Sequence, residues 1–146
     1  VLYGEPWAAE DEVIAAASRA QLHEHIDWLP KAYNTLIGER GLALSGGQRQ
    51  RLNISRSLIL NPKILIFDDS TSAIDAATEQ KIRISLKECV QDRITIIISH
   101  RLASLMHANQ IIYLKDGKIS EKGTHEELIQ LGGHYSRIYH LQTTIK

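Results

Sequence analysis

The sequence has few of the features that mark secreted or membrane-spanning chains. Its single cysteine, Cys89, cannot form a disulfide within the chain, so a reducing cytoplasm is the natural setting. The longest strongly apolar runs, at 64–67 and 96–98, are far shorter than the ~20 residues that cross a bilayer. The first six residues also lack the basic-then-apolar pattern of a signal peptide.

The sequence also has no excess of charge of either sign. Seventeen basic residues balance 17 acidic ones, so no net attraction to nucleic acid or to an anionic membrane is expected. The 146 residues are 43% hydrophobic and 23% charged, ordinary values for one globular domain or part of a larger one. The chain begins without methionine, within an apolar phrase, and we expect it to be a piece of a longer protein.

Hydrophobic spacing predicts helices up to about residue 60. Apolar residues at helical spacing predict one amphipathic helix over 10–29, followed by a loop to Gly41. Ser45 has the chemistry of a helix N-cap, and the helix behind it should end near Asn61-Pro62.

Beyond residue 60 the hydrophobic pattern changes: short apolar runs alternate with a helical pattern, as in α/β proteins. The apolar run at 63–68 predicts a strand buried on both faces, and the β-branched run at 93–98 predicts a second strand. A helix starting near Asp75 lies between them, which makes a βαβ unit with parallel strands. The apolar stripe of that helix is Ile82, Leu86, Cys89 and Val90.

The last third predicts a short helix, a hairpin and two more helices. The short helix covers 101–107, and the hairpin turns at Asp116-Gly117, a pair typical of a type I′ turn. Thr124 to Glu127 has the spacing of a capping box, and a final helix follows it.

Polar residues follow both predicted parallel strands. Asp68 and Asp69 end the first strand, and Ser99 and His100 follow the second. Ligands of open parallel sheets bind at this edge, where two carboxylates and an imidazole suit metal binding and water activation. The alternative is that the acidic pair only caps the turn that follows it.

A glycine-rich helix start is the other candidate. Ser45, Gly46, Gly47 and Gln48 stand where free backbone N–H groups and the helix dipole attract anions. Glycine lets a phosphate approach the backbone closely because it has no Cβ. The structural alternative is a capped helix start with a flexible entry.

Together these segments resemble four motifs of ATP-binding-cassette (ABC) transporter ATPases, in the family's order. Leu44 to Arg51 resembles the signature motif, and Ile64 to Asp68 resembles the Walker B strand. Ser72 to Asp75 is similar to the D-loop, and His100 occupies the place of the switch histidine.

Two further segments resemble the exporter branch of that family. Gly38 to Gly41 is similar to the X-loop, and Gly123 to Leu128 is similar to an exporter ending. The resemblance implies an α/β fold of the P-loop NTPase class. Residues 1–60 would be the helical subdomain with X-loop and signature helix, and 61–146 the C-terminal part of the RecA-like core.

The chain contains no Walker A loop. Gly41 and Gly46 are the only glycines five apart, and Gly47 follows where the motif requires lysine. The resemblance places that loop in a preceding portion of the protein. We therefore expect this chain alone to be inactive and to bind ATP weakly.

The resemblance also assigns roles toward ATP and Mg²⁺. Asp68 would hold Mg²⁺ through water, and His100 would contact the γ-phosphate. Asp69 stands where the family usually has the glutamate that polarises the attacking water. Asp75 would communicate across a dimer. The residues reaching the ATP of the opposite subunit would be Ser45, Gly46, Gly47 and Gln48.

The partners implied are a second ABC ATPase domain and the coupling helices of a membrane domain, which Gly38 to Gly41 would touch. The location implied is the cytoplasmic face of the cell membrane. No nucleic-acid partner is expected. Because Asp69 is shorter than glutamate, its own site should hydrolyse slowly, which favours a heterodimer over a homodimer. The alternatives are a soluble ABC ATPase acting on DNA or ribosomes and a non-hydrolysing partner domain.

Overall fold

A computed structural model describes residues 7–38, 44–69, 72–88 and 93–144. The chain divides into two compact units, Val1–Ile98 and Ser99–Lys146. Within the described ranges, no helix has the length and apolar character that crossing a membrane requires. The first unit contains α1 (Glu10–Arg19), α2 (His23–Asp27), a 3-10 turn (Ala32–Asn34), α3 (Gly46–Ile59), β1 (Ile64–Asp68), α4 (Ala76–Glu88) and β2 (Ile94–Ile98). The second contains α5 (Leu102–Leu105), β3 (Ile111–Lys115), β4 (Lys118–Gly123), α6 (His125–Leu131) and α7 (His134–Thr144).

The prediction of one helix over 10–29 is wrong, because the chain turns between α1 and α2. Gln21 adopts a left-handed backbone with φ 54°, and Leu22 N–H donates to the carbonyl O of Ala17 at 2.9 Å. With the bond from Gln21 N–H to Ser18 O, this is a Schellman ending, closed by an apolar contact between Leu22 and Ala17. Neither glycine nor asparagine marks this position, so no local signal predicts the turn.

The two strands of the first unit pair in parallel, as predicted. Ile64 lies opposite Ile94 and Asp68 opposite Ile98, with α4 between the strands in the chain. The prediction that β1 is buried on both faces is wrong. Leu65 and Phe67 are buried, whereas Ile64 is 56% exposed, because the described residues pack against one face of the sheet.

The core of the first unit lies between the helices and that buried sheet face. The apolar stripe predicted for α4 is confirmed where it is described, since Ile82 and Leu86 are buried. Cys89 and Val90, the rest of that stripe, lie outside the described residues. The core residues are Ala16, Ala20, Ile54, Leu58, Leu65, Phe67, Ile74, Ile82 and Leu86.

The second unit is an antiparallel hairpin with three helices. Asp116 and Gly117 both have positive φ, 50° and 73°, which confirms the type I′ turn. Thr124 and Glu127 form the predicted capping box at α6. A buried carboxylate, Glu121, accepts hydrogen bonds from the first two N–H groups of α7, those of His134 and Tyr135. The described residues up to 60 hold no strand, and a domain boundary there stays a prediction.

Candidate functional site

The start of α3 is held by a reciprocal cap. Ser45 Oγ accepts from the backbone N–H of Gln48 at 3.2 Å, and Gln48 Oε1 accepts from the backbone N–H of Ser45 at 2.8 Å. This capping box satisfies two donors that a helix start leaves without intrahelical partners. The prediction that Ser45 is an N-cap is confirmed.

The same cap fixes the orientation of the Gln48 carboxamide. Because Oε1 faces Ser45, Nε2 faces α2 and lies 3.3 Å from His25 Nδ1. An amide nitrogen only donates, so His25 Nδ1 is the acceptor of this contact. Sequence reasoning did not connect His25 with this site, since 23 residues separate it from Gln48 and no local pattern joins them.

The α3 start faces an open cleft of about 410 Å³. The first turn of α3 has no acidic side chain, so its backbone N–H groups and dipole present positive potential to the cleft. Arg51 adds a cation, and its buried Nε makes no hydrogen bond within the described part of the chain. The α3 start and Arg51 favour an anion in the cleft, whereas the carboxylate of Asp75, which also lines it, opposes one. Its lining is Ser45, Gly46, Gly47, Arg51, Ala73, Ile74 and Asp75.

The two glycines have a packing role beside the predicted one. A Cβ added at Gly47 would lie 2.8 Å from the carbonyl O of Ala73, a distance at which the backbone must move. A Cβ at Gly46 would lie 3.5 Å from Ala73 Cβ, an ordinary contact. Gly47 is therefore required for the turn before α4 to approach α3, whatever binds in the cleft.

At the carboxyl end of β1 the two aspartates differ. Asp68 is exposed, and Asp69 is half-buried with a left-handed φ of 44°, which aspartate tolerates better than most residues. Asp69 N–H donates to Ile98 O at 3.0 Å, and Asp69 O accepts from Ser72 N–H at 3.1 Å. The backbone of Asp69 therefore takes part in the turn, and the alternative that the acidic side chains only cap it stays a prediction.

Asp75 caps α4. Its Oδ1 accepts from the backbone N–H of Thr78 at 2.9 Å. Hydrogen bonds from the Thr78 backbone and then from its side chain hold the pKa of the Asp75 carboxyl below its usual value. The carboxylate is therefore charged at neutral pH at the rim of the cleft.

His100 and Ser99 belong to the second unit, whereas Asp68 and Asp69 belong to the first. His100 is exposed, and its carbonyl O accepts from Gln142 Nε2 at 2.8 Å. Ser99 Oγ accepts from the backbone N–H of Arg101 at 3.0 Å, which makes it a turn residue. Gly38 is exposed with open space around it, and 39–41 of the predicted X-loop lie outside the described residues.

Comparison with known proteins shows the family and the fold of this chain. A family profile described as ABC transporter matches residues 4–72. The "Uncharacterized ABC transporter ATP-binding protein YknU" of Bacillus subtilis is 51% identical over 142 residues, which are 97% of this chain and 24% of that protein. The "ABC transporter ATM1" of Toxoplasma gondii is 48% identical over 130 residues, or 89% of this chain and 12% of that protein. The chain belongs to the ABC transporter family.

Its fold is that of the matching part of an ABC exporter. A bacterial Atm1-family ABC exporter, solved with ATP bound, superposes with a TM-score of 0.91 at 41% identity, over 96% of this chain and 24% of the exporter chain. The chain spans about a quarter of the length of that exporter and of YknU. The predicted α/β fold of the ABC ATPase, present in part, is confirmed.

Sequence reasoning predicted the capped start of α3 and missed the residues that support it. Gln50 was not singled out, although its side chain contacts the D-loop turn. Within the described ranges, no group of three or more His, Cys, Asp or Glu residues could hold a metal. One exposed carboxylate at a strand end, Asp68, suits Mg²⁺, which takes its other ligands from phosphates and water.

Proposed function

We propose that this chain is part of the nucleotide-binding domain of an ABC exporter, in which ATP binding and hydrolysis drive transport across a membrane. One observation carries the proposal. The capped start of α3 opens, without acidic neighbours in its first turn, on a cleft that the D-loop turn also lines. That geometry suits a γ-phosphate delivered by a second domain, and the superposing exporter is described as having ATP bound.

The start of α3 would bind the γ-phosphate and take no part in bond making or breaking. The turn formed by Ser45, Gly46, Gly47 and Gln48 would contact the γ-phosphate bound to the opposite domain. The contacts would come from the backbone N–H groups of Gly46 and Gly47, which the capping box does not use, and from the Ser45 hydroxyl. Both ends of the Gln48 carboxamide are held by hydrogen bonds. The donors are therefore positioned before the nucleotide arrives, which suits phosphoryl transfer by positioning and charge stabilisation.

The domain's own site would use the carboxyl ends of its strands. Asp68 would hold Mg²⁺, which neutralises phosphate charge when bound. Asp69 would accept the proton of the attacking water, and His100 would contact the γ-phosphate. Phosphoryl transfer to water then yields ADP and phosphate.

The remaining assignments concern partners. A second ABC ATPase domain would complete each site, with Asp75 communicating between the two sites. The segment from Gly38 to Gly41 would contact the coupling helices of a membrane domain at its cytoplasmic face. No role with nucleic acid is proposed, in keeping with the zero net charge of the chain.

The experiment uses the full-length protein beside the 146-residue chain. The full-length sequence should show about six apolar stretches of about 20 residues before the ATPase domain, and the purified protein should hydrolyse ATP with Mg²⁺. Calorimetry on residues 1–146 should show no ATP binding tighter than about millimolar, or ~4 kcal/mol. Micromolar binding by the chain alone, or an upstream region without apolar stretches, contradicts the proposal.

Aspartate at position 69, in place of glutamate, predicts slow ATP hydrolysis at the domain's own site. Its carboxylate ends roughly 1.5 Å, one C–C bond, short of the position a glutamate would reach, and a misplacement of about 1 Å costs on the order of 10²-fold in rate. The ordinary pKa values, about 3.9 and 4.3, are too close to matter. With the partner's site disabled, Asp69→Glu should raise single-site turnover by on the order of tenfold, which supports a heterodimer.

Two controls accompany that variant, because Asp69 has a left-handed backbone. Asp69→Asn keeps a residue that tolerates this backbone and removes the base, so it should abolish turnover. Thermal unfolding of Asp69→Glu reports any backbone strain separately from rate. An unchanged rate in a stable Asp69→Glu protein means that aspartate already acts as the base, and the heterodimer argument fails.

A further inference from the structure

Gln50, in the second turn of α3, reaches the turn that precedes α4 with both ends of its carboxamide. Gln50 Oε1 accepts from the backbone N–H of Ala73 at 2.9 Å, and Gln50 Nε2 donates to Ser72 Oγ at 3.0 Å. Because a backbone N–H only donates, the amide orientation is determined, as it is for Gln48. The two glutamines of the signature helix thus serve two different connections.

The turn is also held by contacts that do not involve Gln50. The carbonyl O of Ala73 in this turn lies only 2.8 Å from the position that a Cβ at Gly47 would take. The next residue, Ile74, is 3% exposed and packs in the core cluster with Ile54 and Leu58 of α3. Backbone proximity, an apolar anchor and two amide hydrogen bonds therefore join α3 to the turn.

The turn connects two residues that matter for the proposed function. Ser72 N–H donates to the carbonyl O of Asp69 on its N-terminal side, and Asp75 caps α4 on the other. A shift of the turn therefore displaces the backbone of the residue assigned as base. The signature helix would contact the nucleotide of the opposite domain. Through Gln50 it is joined to Asp69, the residue assigned as base in this domain's own site.

We propose that Gln50 is a positioning residue that couples the signature helix to the D-loop turn, and through Ser72 to Asp69. The proposal rests on the proposed function, since it assigns a consequence for ATP turnover. Gln50 lines no part of the cleft and is assigned no contact with nucleotide. Its loss should lower kcat while leaving the KM for ATP nearly unchanged.

The test compares Gln50→Leu, Gln50→Glu and the control Asn53→Ala in the full-length protein. Leucine keeps the side-chain bulk and removes both hydrogen bonds. A carboxylate can accept from Ala73 N–H and from the Ser72 hydroxyl, so Gln50→Glu should restore the junction. Asn53 is an exposed amide on the same helix and controls for a substitution on α3.

Two readouts separate the junction from its consequence. Hydrogen exchange at the Ala73 amide should accelerate on the order of tenfold in Gln50→Leu and stay near wild type in the other two variants. In Gln50→Leu, kcat should fall on the order of tenfold with KM within about twofold. Gln50→Glu should recover most of that loss, and Asn53→Ala should match wild type.

The outcomes are distinguishable. Unchanged Ala73 exchange in Gln50→Leu overturns the junction. Faster exchange with normal kcat, or a fall in kcat that Gln50→Glu does not rescue, overturns the positioning role and leaves the proposed function standing. A wild-type protein that hydrolyses no ATP overturns the proposed function and the coupling with it, while the exchange experiment still tests the junction.

Discussion

Two helix starts in this protein use the same cap and differ in charge. At α3, Ser45 pairs with Gln48, and at α6, Thr124 pairs with Glu127. The first turn of α6 carries Glu126 and Glu127, which neutralise the local dipole, whereas that of α3 carries no acidic residue. The cap sets where a helix begins, and the charge of its first turn sets the electrostatic potential that the helix start presents to an anion.

The largest effect is expected from occupying the α3 start. Ser45→Arg would place a long side chain where the proposed function puts a γ-phosphate and would remove the capping hydroxyl. In the full-length protein, ATP hydrolysis at the site completed by this helix should be lost, while nucleotide still binds each domain. Steady-state ATPase and nucleotide-binding assays measure this. Normal turnover in that variant would show that Ser45 is only a helix cap.

A charge swap sharpens the comparison. Gln48→Glu keeps the capping box and gives the first turn of α3 one of the two carboxylates that α6 carries. Since like charges a few Å apart repel by more than ~1 kcal/mol near a surface, hydrolysis should fall on the order of tenfold or more. The reciprocal change, Glu127→Gln, is the matched control and should leave ATPase rates unchanged. Equal rates for wild type and Gln48→Glu would contradict anion binding at α3.

The α6 cap should affect stability alone. Thr124→Ala removes the oxygen that accepts from Glu127 N–H at 3.3 Å, and such a change costs about 1 kcal/mol. Amide exchange of α6 should accelerate accordingly, and ATP turnover should stay near wild type. Ser120→Ala, at an exposed serine of β4, should change neither quantity. A fall in ATPase rate for Thr124→Ala would blur the distinction between the two caps.

The smallest effect is expected when the pH is lowered and the start of α4 is observed. This third helix start is capped by a charged group, the Asp75 carboxylate. The pKa of Asp75 is lowered by its hydrogen bonds with Thr78. Its contribution to stability is therefore complete above the ordinary value of 3.8 and is lost as pH falls through the lower folded value. Exchange at the α4 start should accelerate only below about pH 4, and Asp75→Asn should remove that pH dependence.

Local signals determined most of the elements of this protein. A capping box at Thr124, an Asp116-Gly117 turn and two short apolar runs each specify structure within a few residues, and the cap, the turn and the two parallel strands predicted from them are confirmed. The start of α3 was predicted from sequence for the same reason, because Ser45 and Gln48, which form its cap, lie within four residues.

Only the tertiary structure decided which residues support that chemistry. The break at Gln21 depends on Leu22 packing on Ala17, and the exposed face of β1 depends on what covers the sheet. The contacts of Gln48 with His25 and of Gln50 with Ala73 join residues 23 apart in the chain. Such contacts form only when separate elements pack together, and no local periodicity encodes the packing of distant segments.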